Sequence, residues 1–138
     1  MTTETSVDET LDHRLRLRNL RTADYADIKR IMDRVYPGLG GGWPEKKVRA
    51  MLKAFGEGQI CIEDNGRVVA AAFAVIVDYK KFGDNHTYDQ ITGNAYLTTH
   101  DPNGDVLYGV DVFVDPEYRD MRLGRRLYEA RKELCRNL

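Results

Sequence analysis

Residues 110–127 decide the fold of this 138-residue chain, and they read Val-Asp-Val-Phe-Val-Asp-Pro-Glu-Tyr-Arg-Asp-Met-Arg-Leu-Gly-Arg-Arg-Leu. The apolar start predicts a buried strand, which Pro116 ends. A basic loop with a single glycine, Gly124, follows and leads into an amphipathic helix. Such a helix start presents unpaired N–H groups and the positive end of the helix dipole, so the loop predicts a phosphate site.

Arginine side chains strengthen this prediction, because Arg119, Arg122 and Arg125 carry permanent charge suited to phosphate oxygens. The stretch therefore predicts a ligand with an anionic diphosphate and a tail lying along the preceding strand. A nucleic-acid surface on the same helix is a weaker alternative, because acidic residues interrupt the basic ones and no aromatic residues interleave. The other cations of the helix are expected to form a solvated face: Arg126, Arg131, Lys132 and Arg136.

Composition excludes several classes of protein. A hydrophobic content of 42%, a charged content of 31% and a net charge of −1 are typical of a soluble globular domain and give no argument for an acidic partner. Two cysteines, Cys61 and Cys135, are too few for a disulfide framework and are expected to be reduced. The sequence shows no membrane-spanning apolar run and no signal peptide, so we expect a cytoplasmic protein. His13, His86 and His100 lack metal-ligand spacing, and we expect no metal.

The periodicity of apolar residues predicts one domain at 13–138, after a flexible polar lead at 1–12. Alternation near Leu15 predicts a first strand, and two amphipathic helices follow on either side of the glycine-rich joint at 40–42. Segments 59–64 and 67–78 flank Asn65-Gly66 and predict a hairpin.

Later strands are predicted at 95–99, as an edge strand, and at 106–114, as an interior strand. The run from Val68 to Val77 is apolar on both faces and predicts a second interior strand, within the hairpin. The order is therefore strand, two helices, three or four strands and a final helix.

The run Asp-Val-Phe-Val-Asp-Pro-Glu-Tyr-Arg-x-x-Arg-x-Gly-Arg-Arg-Leu resembles the acetyl-CoA-binding motif of the GNAT N-acetyltransferases. That motif is Arg/Gln-x-x-Gly-x-Gly/Ala after a strand that ends in Val-x-Pro. Arg119 takes the first position and Gly124 the last, whereas Arg122 stands where the family has a glycine. Glycine there adopts positive φ freely, so Arg122 must accept that backbone geometry or mark a modified phosphate contact.

The resemblance covers roughly residues 14–138 and implies an α/β (α+β) fold with a mixed, mainly antiparallel sheet flanked by helices. It implies that the chain supplies the N-terminal two-thirds of that fold, ending after the third main helix. More loosely, the chain resembles the acetyltransferase-like portion that precedes a carbon–nitrogen hydrolase domain in some bacterial bifunctional proteins. A fused hydrolase domain or a second copy of the chain is therefore an expected partner.

The resemblance also implies acetyl-CoA as co-substrate and an amine acceptor that attacks it directly. Amides of the strand are expected to contact pantetheine and the thioester, unless they simply pair within the sheet. The expected cofactor-binding residues are Val112, Phe113, Val114, Arg119, Asp120, Met121, Arg122, Leu123, Gly124 and Arg125.

Asp111 is the one charge inside an apolar strand, so it needs a partner, solvent or a proton. It is the candidate catalytic residue, taking the proton of the amine; a structural aspartate paired with an arginine is the alternative. Alternation along the strand places Tyr108 on the opposite face. Tyr36 and Trp43 are candidates for the acceptor site, although Trp43 equally fits a packing role.

Three functions follow from these observations. The first is an acetyl-CoA-dependent N-acyltransferase acting on an unidentified primary amine. The second is a non-catalytic domain of the same fold that binds acyl-CoA or scaffolds another enzyme. The third is a nucleic-acid-binding module built on the terminal helix.

Overall fold

The computed structural model describes residues 13–36, 43–82, 86–93 and 96–137. Four antiparallel strands form one sheet in sequence order, and helices cover both of its faces. The strands are β1 (Leu15–Asn19), β2 (Ile60–Asp64), β3 (Arg67–Val77) and β4 (Val106–Val114). The helices are α1 (Tyr25–Val35), α2 (Glu45–Phe55), α3 (Tyr88–Thr92) and α4 (Leu123–Asn137). The predicted fold class is thereby confirmed, whereas the lead at 1–12 and the joint at 40–42 lie outside the described residues.

The β2–β3 hairpin forms where the sequence predicts it. Asn65 and Gly66 both have positive φ, at 53° and 90°, which is what a two-residue turn of this type requires. All residues from Val68 to Val77 are buried, because β3 has a strand on each side and helices on both faces. The prediction of an interior strand there is confirmed.

Two apolar clusters lie on opposite faces of the sheet. Helices α1 and α2 bury one face through residues that include Ile28, Ile31, Met32, Val48 and Met51, packed around Phe73 and Phe113. Helix α4 covers the other face, where Leu123 and Leu127 pack on Ile60, Ile62, Val69 and Ala72. Burial of these two faces fixes which side of β4 faces which helices.

Two predicted strands differ from the structure. The described part of segment 95–99 forms turns, because Leu97 adopts a φ of 56° that an extended strand excludes, and the short helix α3 precedes it. The strand at 106–114 forms as predicted, but among the described residues it pairs with β3 alone and lies at the edge of the sheet. One side of β4 is therefore left for a ligand or a further strand.

Two other observations concern the described residues as a whole. None of their helices combines the length and the apolar character that a membrane span requires. Cys61 is buried and Cys135 exposed, and both are free thiols.

Candidate functional site

The loop between β4 and α4 has a defined geometry. A 3₁₀ helix spans Pro116–Met121, and the side chain of Asp115 caps it by accepting the N–H of Glu117 at 3.0 Å. Arg122 then turns the chain in the left-handed conformation, with φ 56° and ψ 34°. Arg122 thus accepts the backbone geometry for which glycine is the usual residue.

The start of α4 places the backbone N–H groups of its first turn next to open space. The first helical hydrogen bond runs from Arg126 N–H to Arg122 O at 3.2 Å, so the amides of Leu123, Gly124 and Arg125 precede it. These three N–H groups belong to the first turn of α4 and have no acceptor within α4 itself. A Cβ placed on Gly124 would meet nothing within 4 Å, so open space adjoins the helix start.

Arginines surround this helix start. An open groove of about 550 Å³ is lined by Arg122, Arg125, Arg126 and Glu129. None of the three arginines forms an ion pair with a described carboxylate, so their charge is available to an anion. Arg126 is exposed, as the prediction of a solvated helix face requires, and it also lines this open groove. It lies one helical turn after Arg122, so the two side chains project on the same side. Arg119 is exposed but does not line the groove.

The remaining predicted cofactor residues divide by burial. Asp120 is exposed, Met121 is half-buried against the α4 face of the sheet, and the Leu123 side chain is buried in that core. Only the backbone of Leu123 is therefore placed to meet a ligand.

A buried carboxylate on β2 anchors the 3₁₀ helix. Asp64 accepts hydrogen bonds from the Tyr118 hydroxyl at 2.5 Å, from His13 Nδ1 at 2.6 Å and from the Arg14 N–H at 2.9 Å. Burial and the neighbouring Asp64 raise the pKa of Tyr118 to about 12, so its hydroxyl remains a donor. Burial alone would raise the pKa of Asp64, but hydrogen bonds, first that of Tyr118, lower it.

A second buried carboxylate fixes the end of β4 to α1. Asp115 pairs with Arg30 at 2.7 Å and with Arg34 at 3.0 Å, and its side chain is 1% exposed. Burial alone would raise the pKa of this carboxyl, but the Glu117 amide and the Arg30 guanidinium lower it. No local sequence pattern indicates the ion pairs of Asp115, because more than 80 residues separate it from Arg30 and Arg34.

The free edge of β4 presents alternate backbone groups. Asp115 N–H donates to Val69 O at 2.8 Å, so Asp115 and, by alternation, Phe113 direct their amides toward β3. The amides of Val112 and Val114 face the edge. Of the predicted pantetheine contacts, Val114 therefore directs its amide to the edge, and the Val112 amide donates to Asp111 Oδ1 at 2.8 Å. Phe113 packs its ring in the core, 5.5 Å from the ring of Phe73.

Asp111 lies at the same edge and is surrounded by neutral donors. Its carboxylate accepts the Trp43 indole N–H at 2.8 Å, the Tyr36 hydroxyl at 3.0 Å and the N–H of Val112 at 2.8 Å. Burial and the neighbouring Asp111 raise the pKa of Tyr36 to about 12. The structure thus brings together three residues that the sequence proposed separately for one acceptor site.

A β-bulge sets the orientation of Asp111. Phe73 pairs with Asp111 and Ala74 with Gly109, so Val110 is the extra residue in β4. The extra residue reverses the alternation, and Tyr108 and Val110 pack in the same cluster as Phe113. The prediction that Tyr108 lies opposite Asp111 is wrong for this reason, since Asp111 contacts Tyr36 and Trp43 on that same side.

Arg131 also differs from its prediction. It leaves the solvated face of α4 and donates to Phe73 O at 2.6 Å and to Asp111 O at 3.0 Å, at the bulge. The two other distal cations remain on the surface, where Lys132 lies near Glu129 and Arg136 pairs with Glu133. These contacts leave little basic surface on the second half of α4.

The described residues contain no group of three or more histidine, cysteine, aspartate or glutamate side chains that could hold a metal ion. His100 stacks on Phe55 with 4.3 Å between ring centroids. Its Nδ1 also accepts the N–H of Ile76, so His100 links α2 to β3.

Comparison with protein families finds that residues 25–138 match the model of the Acetyltransferase (GNAT) family. Two proteins of Bacillus subtilis (strain 168) are each 36% identical to this chain. "Probable hydrolase YhcX" matches over 88% of this chain and 24% of its own length. "Uncharacterized N-acetyltransferase YkwB" matches over 67% of this chain and 41% of its own length. The chain thus spans about a quarter and about two-fifths of these curated relatives.

Solved structures share the fold. The loading GNATL domain of CurA from Lyngbya majuscula superimposes with a TM-score of 0.75 at 21% identity, over 91% of this chain and 60% of that chain. The GphF GNAT-like decarboxylase, solved in complex with isobutyryl-CoA, gives a TM-score of 0.64 at 21% identity, over 83% of this chain and 55% of that chain.

Proposed function

The chain belongs to the GNAT acetyltransferase family, and we propose that it binds acetyl-CoA and transfers the acetyl group to a primary amine. The observation that carries this proposal is the start of α4, where the amides of the first helical turn, a positive-φ turn and arginines without a described ion pair meet at one groove. Donors of these kinds bind phosphate oxygens, and together they fit the diphosphate of a coenzyme A.

The diphosphate binds to the amides of Leu123, Gly124 and Arg125. Arg122 and Arg125 neutralise its charge from the groove, and Arg126 joins them as a further cation. Arg119, Asp120 and Met121 form the approach to this site. Because the space beside Gly124 is open, the backbone can come close to a phosphate there.

Pantetheine lies along the free edge of β4, beside Val112, Phe113 and Val114. The amide of Val114 is a donor for the pantetheine chain, and the amide of Val112 is a donor for the thioester oxygen. Asp111 Oδ1 accepts the N–H of Val112. The carboxylate must therefore turn partly away when the thioester binds, and an incoming ammonium group attracts it.

The acceptor amine has a protonation problem that Asp111 addresses. An amine of pKa about 10.4 is neutral only about once in 10³ at pH 7, a handicap of roughly 4–5 kcal/mol. A carboxylate accepts about four hydrogen bonds, and Asp111 leaves room on Oδ2 for one from an ammonium group. Trp43 and Tyr36 line this position and orient the carboxylate.

The reaction then balances without a covalent intermediate on the protein. The ammonium gives one proton to Asp111, directly or through water, and its nitrogen attacks the thioester carbon. The C–S bond breaks as the C–N bond is completed. The second proton of the nitrogen goes to the departing thiolate, so the products are an amide, free CoA and the proton left on Asp111.

Calorimetric titration with CoA tests the phosphate assignment. Replacing Arg119 by Ala together with Arg125 by Glu is expected to weaken binding at least tenfold, because Arg125 lines the groove, Arg119 lies on its approach, and a charge-assisted contact with a phosphate contributes about 1.5–3 kcal/mol.

A matched control makes the same change of charge elsewhere on α4. The variant Lys132→Ala with Arg136→Glu removes the same number of charges from exposed positions outside the groove. It is expected to bind CoA as the wild type does. If the variant with Arg119→Ala and Arg125→Glu binds CoA as tightly as this control does, the diphosphate does not bind at the start of α4.

A non-catalytic acyl-CoA-binding domain attached to another enzyme is the second candidate. The similarity to part of the probable hydrolase YhcX and the covered Val112 amide favour it. Release of free thiol from acetyl-CoA, measured with spermidine, lysine, an alanyl peptide and kanamycin as acceptors, separates the two. CoA binding without thiol release under any of these conditions favours the second candidate.

A further inference from the structure

Arg131 occupies a position that a solvated helix residue does not need. Its guanidinium leaves α4 and donates to the carbonyl oxygens of Phe73 and Asp111, which face each other across the two strands next to the β-bulge. Its Nε is buried without a partner among the described residues. Burial lowers the pKa of this guanidinium from its ordinary value. An arginine kept there despite these costs needs an explanation.

The bulge gives that explanation. In a regular antiparallel ladder, opposed carbonyls pair with amides of the neighbouring strand, but the extra residue Val110 breaks that pattern. Arg131 donates to the carbonyl oxygens of Phe73 and Asp111, the pair of residues that borders the break. It therefore fixes the backbone of Asp111 from the face of the sheet opposite to Tyr36 and Trp43.

The sequence accommodates this contact at Gly109. A Cβ at that position would lie 2.8 Å from Arg131 Nη1, so any larger residue displaces the guanidinium. Gly109 has no positive φ, which means that its backbone conformation does not require glycine. The close approach of Arg131 explains why a glycine stands in the middle of a strand.

We propose that Arg131 is a positioning residue for acyl transfer, which holds the bulge so that the Asp111 carboxylate and the Val112 amide face the reaction site. The inference rests on the proposed function for its kinetic part. Because Arg131 acts through the backbone of Asp111, its loss moves the acceptor side and leaves the groove at the start of α4 in place.

Two independent variants remove the contact. Arg131→Met removes the donors, and Gly109→Ala displaces the guanidinium while leaving Arg131 in the sequence. Both are expected to lower kcat at least tenfold, since misplacement by about 1 Å costs up to about 10²-fold, with the affinity for CoA within threefold of wild type. Arg131→Lys keeps one donor and is expected to give an intermediate kcat. Arg136→Met, on the exposed face of the same helix, is the control.

Trp43 provides a readout that needs no turnover. It is the one tryptophan of the chain, and its indole N–H donates to Asp111. Displacement of Asp111 is expected to shift the emission of Trp43 in both variants, whereas Arg136→Met leaves it unchanged. Should Arg131→Met fail to fold, Gly109→Ala and Arg131→Lys carry the test.

The outcomes separate the two proposals. Unchanged kcat and unchanged Trp43 emission in folded Gly109→Ala and Arg131→Lys would overturn the positioning role. A wild-type protein that does not bind CoA would overturn the proposed function instead, and the Trp43 emission would still report whether Arg131 positions Asp111.

Discussion

Two carboxylates of β4 and its end, Asp111 and Asp115, have opposite surroundings. Asp115 is buried and paired with two guanidinium groups. Asp111 is half-buried at the free edge, and its hydrogen-bond donors are neutral: a phenol, an indole and an amide. A carboxylate whose charge is already balanced by cations holds structure together. Asp111 forms no direct ion pair with a described side chain, because the guanidinium of Arg131 binds backbone carbonyls and acts on the carboxylate only through space, so an ammonium ligand can still pair with it.

The largest expected effect tests the structural half of this comparison. Asp115→Ala leaves Arg30 without its buried partner and removes the cap of the 3₁₀ helix. We expect the free energy of unfolding in urea to fall by about 3–5 kcal/mol, as for other broken buried pairs. Glu117→Ala, which removes only the exposed partner of Arg34, is the control and should stay close to wild type. A fully stable Asp115→Ala protein would contradict the structural role.

The variant Asp111→Asn tests the proposed role of Asp111 as the base that takes the proton of the amine. Asparagine keeps the shape and accepts hydrogen bonds on its carbonyl oxygen, but it cannot take the proton of an amine. We expect kcat to fall about 10²-fold, within the range for loss of a general base, with the calorimetric affinity for CoA within twofold. Asp33→Asn, an exposed change on α1, serves as the control. If Asp111→Asn retains full kcat, Asp111 is structural like Asp115.

The pH dependence of stability in urea is expected to show a smaller effect, which comes from the buried ion pairs of Asp115. The pKa of Asp115 lies below its ordinary value of 3.8 in the folded protein. The stabilisation linked to this shift is therefore present above the unfolded pKa and is lost as the pH falls through the folded pKa. We expect urea stability to decline from about pH 5 toward pH 3. The Asp115→Asn protein should be less stable at neutral pH and show a shallower decline, and an equal slope would contradict the assignment.

Local sequence signals predicted the parts of the fold that depend on local chemistry. Asn65-Gly66 determines a turn because both residues must adopt positive φ, and the apolar run in β3 fits only an interior strand. The turn from β4 into α4 follows from a proline and a glycine in one short stretch. In each case the deciding residues are neighbours in the chain.

Other features depend on contacts that the sequence does not display. The bulge at Val110 follows from the pairing of β4 with β3, and it reversed the predicted side of Tyr108. Arg131 was expected in solvent because its spacing on α4 matches that of a surface residue, whereas the carbonyls it binds come from other elements. Gly109 was the available signal, since a glycine within an apolar strand indicates close approach by another group.

The free edge of β4, the side that does not pair with β3, has a consequence for self-association. An exposed strand edge offers unpaired N–H and C=O groups to any other extended chain and is a common starting point of aggregation. Here the bulge at Val110 bends the edge, and the Asp111 carboxylate occupies the Val112 amide while adding a charge. We therefore expect β4 to be a poor template for intermolecular sheet growth.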